Sequence, residues 1–197
     1  ITAEEAGLWT DGRYFVQAEN QLKGSTVTLY RMGEEGVPTV DEFVKDKLNE
    51  GGCLGFDGRV VNGTWGGRLE KIAAEKNVSM HVTEDLIDLI WEDRPALSKQ
   101  PLFILEEKYS GKSTADKIAD LRKAMKENGA DVHILTSLYD IAWLLNIRGN
   151  DIDYVPVVLS YLVLNETECI WFLQEEVVDD KIRAYLEENH ITTKPYD

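Results

Sequence analysis

The histidines and cysteines of the chain are spaced too widely to form any of the short sequence motifs of metal sites or of catalytic nucleophiles. His81, His133 and His190 are each isolated, and the two cysteines lie far apart. Zinc-type centres need several such side chains at short, regular spacings. We therefore predict no catalytic residue and no metal ligand within this chain. His133 lies in an apolar, strand-like run, where a hydrogen-bonded core histidine is expected.

The polar run at residues 148–151 is the segment best suited to binding. Its sequence, RGND, follows an apolar helix-like run and precedes a long strand-like run. A loop at such a position can face a neighbouring domain. Arg148 could bind a carboxylate through two parallel hydrogen bonds, because a guanidinium group matches the two oxygens. The candidate binding residues in and just after this run are Arg148, Asn150, Asp151 and Tyr154.

A structural explanation of the same run is also open. Arg148 could form an ion pair with Asp151 or Asp153 and simply hold the loop. Tyr154 and Tyr161 could line the opening of a binding site at this loop, although aromatic residues in strands usually serve packing.

Two glycine-containing segments look like active-site motifs but have simpler explanations. In the run Asp11-Gly12-Arg13, we expect Asp11 to cap free backbone amides at a strand-to-helix turn, where Gly12 permits a tight backbone. The segment at residues 63–67 lacks the Gly-Lys-Ser/Thr ending of a phosphate loop. We predict an ordinary surface turn there, with the next helix at residues 68–76.

The composition narrows the class of protein and its partners. The chain has 197 residues, of which 21 are basic and 36 acidic, giving a net charge of −15. Such a balance argues against nucleic acid, where Lys and Arg must neutralise phosphates. No apolar run is long enough to span a bilayer and no signal peptide opens the chain, so we predict a cytoplasmic protein without a membrane partner. Cys53 and Cys169 lie in apolar surroundings and are predicted to be buried free thiols.

Strand-like and helix-like runs alternate along the chain, which predicts an α/β fold. In the first half, strands are predicted at residues 6–10, 26–32, 53–56 and 78–83, and helices at 13–22, 39–48, 68–76 and 85–91. Thr39 followed by Glu42 is a capping box that begins the second of these helices. In the second half, helices are predicted from 113, from 137 and at 177–189, with a buried strand at 132–136 and further strands at 155–165, 169–174 and 191–194.

The chain is predicted to contain two domains. The stretch at residues 92–101 carries Pro95 and Pro101, has few apolar residues and shows no periodicity. We expect one domain at 1–92, a linker at 93–104 and a second domain at 105–197. The end of the chain repeats the strand–helix–strand order of its start, which indicates an internal duplication. On that pattern both modules are expected to be truncated, and an unpaired sheet edge would favour self-association as a homodimer.

Six motifs in order along the chain resemble the Xaa-Pro aminopeptidase P family, whose members belong with the creatinases and prolidases. They are GLWTDGRYF at 7–15, GEEGVPT at 33–39, GFDGR at 55–59, DLID at 85–88, WEDRP at 91–95 and TSLYDIAWLLNIRGND at 136–151. Pro156, Ser160 and Tyr161 continue the last motif.

The resemblance implies an α/β fold of two tandem creatinase N-terminal-like modules, each a mixed β-sheet flanked by helices. In the complete three-domain enzymes, these modules precede a catalytic domain that removes an N-terminal residue preceding proline. That domain binds two manganese ions through aspartates, a histidine and glutamates, and none of it is expected in this chain. The chain would then be non-catalytic, with roles in substrate gating, domain packing and oligomerisation. Its implied partners are the catalytic domain and proline-containing peptides.

The resemblance also bears on the loop at residues 148–151, which in those enzymes lies towards the catalytic domain near the mouth of the substrate cleft. It therefore implies that Arg148, Asn150, Asp151 and Tyr154 are candidates for a substrate-facing rim. An alternative function is a peptidase-inactive binding module. Creatinase-like domains of that kind occur in a histone-chaperone subunit, and an acidic surface would suit a basic partner.

Overall fold

The computed structural model describes residues 1–196, which form two compact units. The first unit is Ile1–Arg94, and the second begins at Pro95. Both units contain strands and helices in alternation, so the predicted α/β class is confirmed. Across the described residues, no helix combines the length and the apolar composition needed to cross a membrane.

The first unit contains two short parallel sheets. Its elements are β1 (Ala6–Thr10), α1 (Phe15–Gln21), β2 (Val27–Arg31), α2 (Val40–Lys47), β3 (Cys53–Gly55), α3 (Gly63–Glu75) and β4 (Ser79–His81). Strand β1 pairs with β2, and β3 pairs with β4, both in parallel. Each pair is connected through one or more helices, as parallel strands require.

An aromatic cluster covers the β1–β2 sheet. Trp9 stacks on Tyr30 of the neighbouring strand at 4.2 Å, and the ring of Phe43 from α2 meets Trp9 edge-on at 4.9 Å. The Trp9 indole lies across Gly7, where a Cβ atom would come within 2.6 Å of the ring. Glycine at position 7 therefore makes room for the stack, and the aromatic pair contributes to stability beyond its buried area.

The helix α3 begins five residues earlier than predicted, so the expectation of a surface turn at residues 63–67 is wrong. Asn62 accepts a hydrogen bond from the Trp65 amide at 2.9 Å and caps the first turn. The Trp65 indole and the Arg68 guanidinium both donate to Asp41 on α2, each at 2.7 Å. These tertiary bonds offset the low helix propensity of the glycines in the first turn.

The segment at residues 85–91 forms successive turns where an α-helix was predicted. Its large side chains are mostly exposed, as Leu89 and Ile90 show. Without a packed face, an amphipathic pattern gains little from helix formation. The turns are held instead by Arg94, which bonds Asp85 and Asp88.

The second unit is built on one four-stranded mixed sheet. Its elements are β5 (Phe103–Ile104), α4 (Glu107–Ser110), α5 (Thr114–Glu127), β6 (Val132–Leu135), α6 (Leu138–Leu145), β7 (Ile147–Arg148), β8 (Tyr161–Asn165), β9 (Cys169–Leu173), α7 (Asp180–Glu188) and β10 (Thr192–Pro195). The strand order is β10-β9-β8-β6, with β9 and β10 parallel and the other pairs antiparallel. Strands β5 and β7 form a separate antiparallel pair.

The core of the second unit lies on one face of this sheet. Leu162 and Trp171 on the strands are buried against Ile118, Leu145 and Ile182 of the helices α5, α6 and α7. The unit β9-α7-β10 repeats the parallel strand–helix–strand arrangement of β1-α1-β2, which matches the duplication predicted from the sequence.

Two predictions of burial and one strand boundary need correction. Strand β6 lies at the edge of the sheet with Val132 53% and Ile134 62% exposed, so it is not the buried strand that was expected. The helices cover only one face of the sheet, which leaves the other face of this strand in solvent. Cys169 is buried as predicted, whereas Cys53 is exposed. Strand β8 starts at Tyr161 instead of residue 155, because residues 155–160 belong to a closed loop.

Candidate functional site

The loop that follows α6 begins with a sharp change of chain direction. Asn146 ends the helix in the left-handed conformation, with φ of 50°. Its carbonyl accepts the Leu105 amide at 2.7 Å, and Ile147 then pairs with Ile104 in the β5–β7 ladder. Arg148 is the last residue of this ladder, so its backbone is fixed before the irregular part of the loop begins.

Arg148 is anchored through one of its three guanidinium nitrogens. The Nη1 atom donates to the carbonyl of Ala142 in the last turn of α6 and to the Ile147 carbonyl at 3.0 Å. A cation is favourable there because the carboxyl end of a helix carries partial negative charge. Within residues 1–196, the Nε and Nη2 atoms have no protein acceptor, and neither is fully buried. These two atoms form the fork that binds a carboxylate side-on.

The ion pairs offered as the structural alternative do not form among the described residues. Arg148 makes no salt bridge with Asp151 or Asp153, and partial burial alone lowers the pKa of its guanidinium. Arginine nevertheless stays protonated in proteins. The group is thus a half-buried positive charge held by neutral carbonyls, with no acid in ion-pair contact within residues 1–196.

Asp151 closes the loop instead of pairing with Arg148. Its Oδ2 atom accepts the Leu159 amide at 2.8 Å, and its own amide donates to the Val157 carbonyl at 3.3 Å. Gly149 packs against the returning chain, where a Cβ atom would lie 2.9 Å from Val158 Cγ2 and 3.0 Å from the Val157 carbonyl oxygen. The base of the loop is therefore closely packed and hydrogen-bonded.

Tyr154 lies at the tip of the loop in a strained conformation. The Val155 amide donates to the Ile152 carbonyl at 3.0 Å, which makes residues 152–155 a tight turn. Tyr154 has φ of +64°, a region that favours glycine, and its side chain is 104% exposed. Asn150 is also exposed. The four candidate residues thus lie in one loop, which begins at Arg148 and ends its exposed tip at Tyr154. Within it, Asp151 holds the two sides of the loop together through its bonds to Leu159 and Val157.

Tyr161 belongs to a different surface. It stacks on Phe172 across β8 and β9 at 4.5 Å, and its hydroxyl donates to the Tyr196 carbonyl. Its role in this unit is packing on the sheet.

His133 is half-buried on the edge strand and lines a groove of about 560 Å³ beside α5 and α6. It is not the core histidine that was predicted.

The sequence reasoning missed Lys117, the most deeply buried charged side chain near the loop. It lies on α5 and is 1% exposed. Its Nζ atom donates to the Trp143 carbonyl at 2.7 Å and to Asn146 Oδ1 at 2.6 Å, and it lies 4.5 Å from the centre of the Trp143 ring. Burial lowers the pKa of Lys117, and the positive charge of Arg148 lowers it further.

The spacing of α5 contained a signal for this residue. Lys117 lies three residues after the buried Thr114 and next to the buried Ile118, so helical periodicity puts it on the inner face. Lysine on that face needs acceptors, and the carboxyl end of α6 supplies them. Two cations, Lys117 and Arg148, thus converge on one helix end.

The remaining charged motifs have structural roles in the first unit. Asp11 accepts the Arg13 amide at 3.0 Å and pairs with the Arg13 guanidinium, as expected for a turn. These bonds from Arg13 lower the pKa of Asp11 to about 2.

Among the described residues, no group of three or more histidine, cysteine or acidic side chains could hold a metal ion.

Two family models match the chain in tandem. Both describe the creatinase/prolidase N-terminal domain, one over residues 1–90 and the other over residues 93–197. The second match alone covers more than half of the chain. The resemblance inferred from the motifs is therefore confirmed.

Curated relatives and one solved structure agree with these matches. The chain is 35% identical over 197 residues to a Xaa-Pro aminopeptidase of Caenorhabditis elegans and 38% identical over 197 residues to an aminopeptidase P1 of Lotus japonicus. All of this chain aligns, but it spans only 32% and 30% of those proteins. The crystal structure of X-prolyl aminopeptidase from Caenorhabditis elegans, described as a cytosolic enzyme with a di-nuclear active site, superposes with a TM-score of 0.92 at 35% identity, over all of this chain and 32% of that one.

Proposed function

The chain belongs to the creatinase/prolidase N-terminal domain family, and we propose that it is the non-catalytic N-terminal region of a metal-dependent Xaa-Pro aminopeptidase. The support is that all of the chain aligns with about a third of such enzymes. The other two thirds would supply the peptidase chemistry, with two manganese ions polarising the scissile carbonyl and activating water. We further propose a cytoplasmic location, in line with the cytosolic relative from Caenorhabditis elegans.

The proposed role of the chain is to narrow access to the catalytic site, with the loop at residues 148–154 at its rim. The observation that supports this role is the free Nε–Nη2 fork of Arg148, held in place through Nη1. A fixed fork recognises a carboxylate bidentately with little loss of side-chain freedom. The acceptor would be the carboxylate of a short proline-containing peptide or an acidic side chain of the catalytic domain.

The exposed ring of Tyr154 suits the same role. An aromatic side chain offers a large contact area at low entropic cost, and the proline ring of a peptide substrate is an apolar surface of similar width. Tyr154 would contact such a peptide or the neighbouring domain, while Asp151 keeps the loop closed.

The test is steady-state kinetics of the full-length protein with manganese and a Xaa-Pro tripeptide. A hydrogen bond to a charged group contributes about 1.5–3 kcal/mol, so Arg148→Ala should lower kcat/KM by about 10- to 150-fold. Arg148→Lys keeps the charge without the fork and should retain most of the defect.

Arg122→Ala is the matched control, because Arg122 also donates to a backbone carbonyl in the same unit but lies outside the loop. Unchanged kcat/KM in a stable Arg148→Ala protein would contradict the gating role. The isolated chain should release no amino acid from the tripeptide with manganese, and release would contradict the assignment of catalysis to the rest of the protein.

A binding module without peptidase activity is the second candidate, and the net charge of −15 is the observation that favours it. Such a module would bind basic proteins such as histones through its acidic surface. Retention of the chain on immobilised histones at physiological salt would support it, and no retention would contradict it. Homodimerisation of the full-length protein is proposed separately, and light scattering at high concentration would reveal a monomer if that proposal is wrong.

A further inference from the structure

We infer that Lys117 is a positioning residue that keeps Arg148 bonded through Nη1, with its Nε–Nη2 fork free. The inference rests on the proposed function of the loop, and it concerns a residue on a different helix. The evidence is the set of contacts that joins α5 to the carboxyl end of α6.

Lys117 holds the residue at which the chain turns towards Arg148. Its ammonium group donates to Asn146 Oδ1 at 2.6 Å, and the Asn146 amide nitrogen donates in turn to the Lys112 carbonyl at 2.9 Å. Asn146 is therefore fixed on both sides while it adopts the left-handed conformation. Arg148 follows only two residues later and its backbone is already paired in the β5–β7 ladder, so this contact steadies the turn that leads into the ladder.

Lys117 and Arg148 also use neighbouring acceptors. Lys117 donates to the Trp143 carbonyl, and Arg148 donates to the Ala142 carbonyl one residue earlier. Loss of one cation would free a helix-end carbonyl, which the remaining flexible side chain could then approach. With Lys117 in place, that acceptor is occupied and Arg148 keeps to its own.

The like charges of the two residues act in the same direction. Neither cation has a carboxylate beside it among the residues described, and the charge of Arg148 is felt at Lys117. A buried charge without an acid is costly, and the two cations repel each other. Arg148 is thereby disfavoured from folding inward towards α5, and the fork attracts an anion more strongly than a single arginine would.

The consequence is a specific pattern of kinetic coupling. If Lys117 acts through Arg148, Lys117→Met should lower kcat/KM for a Xaa-Pro tripeptide by about tenfold, because small misplacements of a binding group have large kinetic effects. The loss should appear mainly in KM. In the Arg148→Ala background the same substitution should have no further effect, which a double-mutant cycle measures directly.

The experiment uses the full-length protein in four forms, which are the wild type, the two single variants and the double variant. Lys123→Met is the control, since Lys123 lies on the same helix but is exposed. Thermal unfolding is recorded in parallel, because a purely structural role would lower Tm and kcat/KM equally in both backgrounds. Asn146→Gly keeps the left-handed backbone while removing one of the two acceptors of Lys117, and it serves as the second variant if Lys117→Met does not fold.

The outcomes separate this inference from the proposed function. Coupled loss, absent in the Arg148→Ala background, supports the inference. A loss from Arg148→Ala with no loss from Lys117→Met or Asn146→Gly would overturn the inference and leave the proposed function standing. Equal loss in both backgrounds would overturn it as well. If Arg148→Ala itself leaves kcat/KM unchanged, the proposed gating role is contradicted, and this inference with it.

Discussion

Replacing Tyr154 by glycine should leave the chain as stable as before or slightly more stable. At φ of +64°, a residue other than glycine carries a backbone cost of about 1–2 kcal/mol. Glycine removes that cost but gains freedom in the unfolded chain, which offsets about 0.5–1 kcal/mol. The ring is fully exposed, so no packing is lost within this chain. The net change in the free energy of unfolding is therefore expected to lie between about 0 and +1.5 kcal/mol.

Urea unfolding of the isolated chain would measure this change, and kinetics of the full-length protein would measure its functional cost. We expect kcat/KM for a Xaa-Pro tripeptide to fall while stability is kept. Tyr154→Asn is the matched variant, because asparagine tolerates the left-handed region and also removes the ring. Tyr154→Phe should behave like the wild type if the ring surface, and not the hydroxyl, makes the contact.

Two results would refute this reasoning. A loss of more than about 1 kcal/mol in the glycine variant would mean that the ring packs against the chain, which its exposure denies. Normal kinetics in both ring-free variants would mean that the strained tip has no part in substrate access.

Three further predictions test the packing and the titrating groups. Gly149→Ala should destabilise the chain by about 1–3 kcal/mol in urea unfolding, because its new methyl group would overlap the returning loop. Burial raises the pKa of Asp41, but the hydrogen bonds from Arg68 and Trp65 outweigh this effect and lower the pKa overall. A lowered folded pKa gives stability that is present above the ordinary carboxyl pKa of about 4 and lost as pH falls through the folded value, so Asp41→Asn should reduce the acid sensitivity of Tm. Burial raises the pKa of Cys169 to about 11, whereas Cys53 is exposed, so iodoacetamide at pH 8 should label only Cys53 in the folded chain, as mass spectrometry would show.

Local capping signals predicted the starts of α2, α5 and α6, because these signals depend on residues close in sequence. The Thr39–Glu42 capping box forms as expected, with both of its reciprocal bonds. Ser113 likewise accepts the Asp116 amide and begins α5. Side chains that satisfy free amides within one turn act before any tertiary contact, so the sequence alone reveals them.

The failures share a dependence on contacts between distant residues. The start of α3 depends on Asp41, which lies 24 residues before Trp65. The turns at 85–91 lack a packed face, and no local pattern indicates which face of a segment a second element will cover. For the candidate loop, the sequence left open an ion pair of Arg148 with Asp151 or Asp153, whereas the backbone carbonyls of Ala142 and Ile147 hold it.

The loop after α6 combines a rigid base with a strained tip, and this combination is difficult to explain as scaffold alone. Gly149 and Asp151 pack and close the base, and two cations share the end of one helix. A loop that served only to connect β7 to β8 would lose nothing by placing glycine at position 154 or an acid beside Arg148, and either change would relieve an unfavourable energy. Tyr154 is exposed and the Nε–Nη2 fork has no acceptor within residues 1–196, so we propose that a contact outside this unit compensates for both. If Tyr154→Gly raises the free energy of unfolding while kcat/KM falls, the strain at position 154 is tied to substrate access.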